Sequence, residues 1–158
     1  MTNLDIKINI RELSSYVGKK GIGDKKLSLM VEYFSHYILN LYGRVIESEI
    51  NSRRYRGKWE PVDDPGYLEY IGVTPERPMI DLIAEALEVV KIGYNYIVRI
   101  NPRYMYPGTR IPLMTVLRAI ESGTSKFNAR PILAKSTREI NKNIVKLWKG
   151  YLKMKGVL

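Results

Sequence analysis

Apolar and polar positions alternate at the start of the chain. Leu4, Ile6, Ile8 and Ile10 fall on one side, Asp5, Lys7 and Asn9 on the other, the period of a half-buried strand. A glycine-punctuated basic loop covers 18–23, Gly18-Lys19-Lys20-Gly21-Ile22-Gly23. From Asp24, a residue type suited to an N-cap, the spacing becomes helical. Leu27, Met30, Val31, Phe34, Ile38, Leu41, Tyr42, Val45, Ile46 and Ile50 hold it for about 27 residues, roughly 40 Å.

The pattern breaks over 51–66, where the basic cluster Arg53, Arg54, Arg56 and Lys58 runs into Trp59-Glu60-Pro61-Val62-Asp63-Asp64-Pro65-Gly66. Prolines and a closing Pro-Gly make this a loop with turns. Pro78 heads a helix expected over 79–91 with Gly93 closing it, and 94–100 reads as a strand. A loop at 101–111, rich in Tyr, Pro and Gly, leads to Pro112, which opens a short helix to Glu121. Gly123 stands where a helix C-cap belongs. At 100° per residue, Leu133, Ile140, Ile144, Leu147, Trp148 and Tyr151 share one face. Lys135, Arg138, Lys142, Lys146, Lys149 and Lys153 share the opposite one, which predicts a single amphipathic helix over about 132–154. The expectation is one α+β domain over 1–158: long N-terminal and C-terminal amphipathic helices packed on a small antiparallel sheet.

Charge adds a second layer. The chain carries 26 Lys+Arg against 16 Asp+Glu, a net +10. Residues 1–50 hold seven basic and six acidic side chains, and 51–100 hold seven and eight. Residues 101–158 hold twelve basic side chains and two acidic ones, Glu121 and Glu139, so the excess sits in the last third. Such asymmetry suits a face that meets a polyanion or an acidic protein surface, the alternative being a solvated helix face. With 158 residues the chain can bury a core. No apolar run approaches the roughly 18 residues that span a bilayer, so no membrane partner is expected. The N-terminus lacks the charged-then-apolar pattern of a signal peptide, so assembly in the cytoplasm is expected.

Catalytic chemistry finds little footing. No cysteine is present, which removes disulfides, thiolate zinc sites and a cysteine nucleophile. His36 is the one histidine, so a histidine metal cluster is out as well. Asp63 and Asp64 precede Pro65-Gly66 and read as turn residues rather than an acid/base pair. No serine lies in a Gly-x-Ser-x-Gly elbow. The expectation is no enzyme and no cofactor or metal. Gly18-Lys19-Lys20-Gly21 matches the Gly-x-x-Gly loop with which KH domains clamp a nucleic-acid backbone, although a flexible basic loop produces the same string. Tyr104 and Tyr106, interleaved with Arg103, suit base stacking or a protein contact.

The order of pieces in the C-terminal half resembles a known family. The strand Tyr96-Ile97-Val98-Arg99-Ile100 leads to a helix ending Ile120-Glu121-Ser122-Gly123-Thr124. Ala129-Arg130-Pro131-Ile132-Leu133 and the terminal helix follow. This is similar to the tail-completion and head–tail joining proteins of tailed bacteriophages, of the lambdoid minor-tail and virion-morphogenesis type. Gly57-Lys58-Trp59-Glu60-Pro61-Val62 resembles that family's Gly-Trp-x-Pro-Leu segment.

The resemblance implies a structural, non-catalytic neck subunit in the virion, assembled in the host cytoplasm. It implies a homo-oligomeric ring, six or twelve copies, between portal or neck and tail tube. Trp59, Pro61, Glu121, Gly123, Thr124, Arg130 and Pro131 would be its motif residues. The loops holding Arg53, Arg54, Arg56, Tyr104 and Tyr106 would contact neighbouring subunits. The lysine face would meet packaged DNA in the channel or an acidic neighbouring ring. The alternative function is a small basic RNA- or DNA-binding protein using the Gly18–Gly21 loop and the lysine-rich helix.

Overall fold

In a computed structural model, residues 4–17, 23–50, 79–123 and 131–157 are described. β1 (Ile6–Asn9) buries Ile6 and Ile8 completely and leaves Lys7 exposed, as its alternation requires. The strand ends one residue early because Asn9 is an N-cap. Its side-chain oxygen accepts from the Glu12 amide at 2.9 Å, and Ile10 opens a short helix, α1 (Ile10–Ser15). α2 runs over Asp24–Ile50, 27 residues as the spacing predicts. Leu27, Val31, Phe34, Ile38, Tyr42 and Ile46 form its buried side.

The middle departs from expectation. α3 covers only Met79–Ala86, and the chain then switches to β2 (Leu87–Ile92) and β3 (Asn95–Ile100). Leu87 and Val90 keep a helical phase with Ile83, so apolar periodicity alone extended the helix. Val89, Val90 and Ile92 are β-branched, and pairing with β3 decides the outcome. Gly93 is accordingly a hairpin residue rather than a helix terminator. Its φ of 61° suits the first central position of a two-residue turn, where glycine carries no steric cost.

The sheet is antiparallel with order β1-β3-β2. Ile6, Ile8, Val89, Tyr96, Val98 and Ile100 point into the core, where β2 and β3 pack against α2. On the opposite face Arg99 Nε donates to Glu88 Oε1 at 3.0 Å, a directly paired cross-strand couple.

α4 covers Leu113–Ser122. The single C-terminal helix expected over 132–154 is two helices, α5 (Ile132–Lys142) and α6 (Ile144–Met154). Asn143 makes the break. Its amide donates to Ile140 O at 3.0 Å in a tightened turn, and its Nδ2 donates to Glu139 O at 2.9 Å. A short amide side chain that competes for backbone carbonyls is the local reason. α5 packs on α2 and β1. α6 closes the core with Trp148, which is fully buried. The Trp148 ring meets Phe34 edge-on at 5.0 Å, and its Nε1 donates to Leu13 O at 2.8 Å. Below it, Tyr42 OH contacts Thr137 Oγ1 at 2.8 Å and donates to Leu4 O at 3.2 Å, tying α2, α5 and the N-terminal strand region together.

Candidate interaction surfaces

Among the described motif residues, Glu121 makes side-chain hydrogen bonds to a second helix. It sits in the last turn of α4, and its two carboxylate oxygens accept from the amides of Leu133 (2.5 Å) and Ala134 (3.1 Å). Those amides belong to the first turn of α5, where backbone donors lack helical partners and the helix dipole favours negative charge. A residue twelve positions upstream thus caps the helix. Burial raises the Glu121 carboxyl above its ordinary 4.5, outweighing the amide hydrogen bonds that pull it down. Gly123 ends α4 with φ 74°, its amide donating to Ala119 O at 2.9 Å. Pro131 holds the cap position of α5. Glu121 therefore joins the end of α4, marked by Gly123, to the start of α5, marked by Pro131. Thr124 and Arg130 lie outside the described residues.

The basic residues of 135–153 are divided between α5 and α6 by the turn at Asn143. Lys135 is engaged, its Nζ 2.8 Å from Glu49 Oε1 on α2. Lys149 lies 5.0 Å over the Tyr16 ring on the α1 side. Arg138, Lys142, Lys146 and Lys153 are exposed.

The 101–111 loop is folded on itself: the Tyr106 amide donates to Ile111 O at 2.8 Å, and Met105 bridges Pro112. Tyr106 is 2% exposed, which corrects its expected place at an inter-subunit contact; its ring is core. Tyr104 is half-buried and its hydroxyl donates to Glu85 Oε2 at 2.5 Å. Met105 is a large apolar residue that the loop presents outward, at 45% exposure, beside exposed Arg103 and Arg110. Arg53, Arg54, Arg56, Trp59, Pro61 and the Gly18, Lys19, Lys20, Gly21 loop lie outside the described residues, as do Asp63 and Asp64.

A surface that sequence reasoning missed lies between α2 and the α5–α6 pair. It is an open groove of about 570 Å³, lined by Tyr37, Leu41 and Val45 on one wall and Leu147, Tyr151 and Met154 on the other. Burial raises the Tyr151 phenol above its ordinary value, with Tyr33 adding to the effect. The α2 wall was legible as residues at four-residue spacing. The opposing wall was not, because its placement depends on the packing of Trp148 and Tyr151 against Phe34 of α2.

Among the described residues, no three or more His, Asp or Glu side chains converge as a metal site, and no helix is long and apolar enough to cross a membrane. His36 is exposed on α2. What the fold defines is an α+β protein whose distinctive features are a capped helix corner, an unevenly charged surface and an apolar groove. Against known proteins, the chain matches no family model, no curated protein and no solved structure.

Proposed function

We propose that the chain is a structural subunit of a phage virion neck, a head–tail connector or tail-completion protein that forms a ring between portal or neck and tail. The observation that carries the reading is the Glu121 corner. Glu121, one of the residues on which the family resemblance rests, ties the last turn of α4 to the first turn of α5 through two hydrogen bonds, beside the helix end at Gly123 and the cap position of Pro131. A ring subunit needs such ties, because a small angular error repeats at every interface and prevents closure. The partners of this reading are further copies of the chain, neighbouring portal, neck or tail-tube proteins, and DNA in the channel. Exposed Arg138, Lys142, Lys146 and Lys153 are among the cations available to an acidic ring or to DNA.

Native mass spectrometry with negative-stain imaging tests the proposal. A closed ring of six or twelve copies supports it. A strict monomer that binds an oligonucleotide tightly, with affinity falling steeply as salt rises, refutes it in favour of an autonomous nucleic-acid-binding protein.

A further inference from the structure

The two edges of the sheet are treated differently. In the order β1-β3-β2, β2 pairs on one side alone. The two-residue turn at 93–94 makes Ile92 and Asn95 a hydrogen-bonded pair, so the backbone groups of Glu88, Val90 and Ile92 are directed to β3. The Asn101 amide, donating to Ala86 O at 2.8 Å, continues that alternation. The amides and carbonyls of Leu87, Val89 and Lys91 therefore point away from the sheet. Among the described residues none of them has a hydrogen-bond partner. The other edge is covered: β1 lies against α5, Asn141 Nδ2 donates to Asp5 O at 3.4 Å, and Tyr42 OH donates to Leu4 O. β2 has no such cover there. Leu87–Ile92 pairs in unbroken register, without bulge or proline, and Lys91 is its one lysine. Ile92, at 56% exposure, adds an apolar side chain beside the open edge. A bare edge of this length is a template for a further strand.

We propose that β2 pairs antiparallel with β2 of a second copy of the chain across a two-fold axis, joining the two sheets edge to edge. The strand's own residues select this occupant and its register. With Val89 opposite its equal, Leu87 stands opposite Lys91 and Glu88 opposite Val90. Every outward amide and carbonyl of Leu87, Val89 and Lys91 then has a partner, because residues facing each other in hydrogen-bonded pairs exchange both bonds. No charge meets its like: Glu88, held by Arg99 at 3.0 Å, lies beside Val90, and the apolar stem of Lys91 lies along Leu87. A two-residue slip one way sets Glu88 against Glu88. The same slip the other way leaves Leu87 facing Gly93, which the turn takes out of the strand with φ 61°. Because α5 covers β1, the pair closes at two copies and does not propagate along the sheet. A two-fold pair joins like faces, whereas a ring joins unlike ones, so this proposal and the neck reading fail separately.

The test is hydrogen exchange of the full chain, read amide by amide by NMR, with sedimentation velocity on the same samples. One strand pair is a small interface, so the comparison runs from about 50 µM to about 1 mM. The mass rises from one copy to two over that range. The amides of Leu87, Val89 and Lys91 exchange at least about tenfold more slowly in the concentrated sample, while Glu88, Val90 and Ile92, already bonded to β3, keep their rates. Val89→Pro is the matching variant. The amide it removes points outward, so the β2–β3 ladder keeps its bonds and far-UV circular dichroism stays that of wild type. Dimerisation weakens by about tenfold or more, since the central pair loses both its hydrogen bonds. A monomer at the highest concentration overturns the proposal and leaves the edge to a strand of another protein. A dimer whose three outward amides stay unprotected overturns it too, as does unchanged dimerisation of folded Val89→Pro. A closed ring that Val89→Pro leaves intact, with those amides unprotected, overturns it while the neck reading stands. The exchange measurement uses the wild-type chain, so it gives its answer even where Val89→Pro does not fold.

Discussion

Replacing Glu121 by Ala removes both acceptors from the first turn of α5. The amides of Leu133 and Ala134, at 2.5 and 3.1 Å from its carboxylate, lose their partners. Loss of an N-cap acceptor costs about 1–2 kcal/mol, and the charge–dipole interaction adds about 0.3–1 kcal/mol. The desolvation imposed on the buried carboxylate outweighs the charge-dependent part of this, so Glu121→Ala is expected to cost about 1 kcal/mol at neutral pH. For a domain of this size that corresponds to a Tm lower by about 2–4 °C. Glu121→Gln keeps one acceptor oxygen and falls between the two. Urea unfolding followed by far-UV circular dichroism measures the series.

The same residue carries a pH signature. Because burial raises its folded-state pKa above 4.5, the native protein holds this proton more tightly than the unfolded chain. Its contribution is fully present below 4.5 and is lost as pH rises through the native value. Acidification from neutrality towards 4.5 should therefore favour wild type relative to Glu121→Gln. Equal midpoints for wild type and Glu121→Ala would refute the capping argument. A difference between wild type and Glu121→Gln that does not change with pH would refute the burial argument.

Trp148→Ala removes the fully buried indole, its edge contact with Phe34 and its bond to Leu13 O, at a cost of about 3–5 kcal/mol in urea unfolding. Gly150→Ala stabilises by about 0.5–1 kcal/mol in the same assay, because Gly150 is inside α6 and its Cβ position is open. Burial holds the Tyr42 phenol well above its ordinary 10.0, so the native state favours the neutral form and loses stability as pH rises beyond that value. Tyr42→Phe costs about 1 kcal/mol at neutral pH and makes stability less pH-dependent above about 10, read by thermal unfolding in an alkaline series.

The long helix was the most legible element, because ten apolar residues from Leu27 to Ile50 keep one phase and no local signal competes. β3 and α4 were legible for a similar reason, with Asn101-Pro102 and Gly123 as stops. The errors fell where two local codes overlap. Ile80 to Val90 satisfies a helical period, yet it ends in β-branched Val89 and Val90, and the partner strand decided. The C-terminal helices share one apolar arc when counted along a single axis, but Asn143 spends its side chain on Glu139 O and divides them. Tyr106 looked like a surface aromatic in a Pro-Gly loop; the loop's own hydrogen bonds turn it inward.

Composition and periodicity by themselves determined the α+β class, the long α2 and the concentration of positive charge after residue 100. These follow from the residue order and nearest-neighbour geometry, which no distant contact alters. Tertiary structure alone decided what Glu121 does, because its partners are twelve and thirteen residues away and become neighbours only when α5 folds back on α4. It also decided which cations remain available, by drawing Lys135 to Glu49 and Lys149 to Tyr16. The groove belongs to the same category, since its two walls come from helices about a hundred residues apart in the chain, brought together by burial of Trp148 and Tyr151 against Phe34.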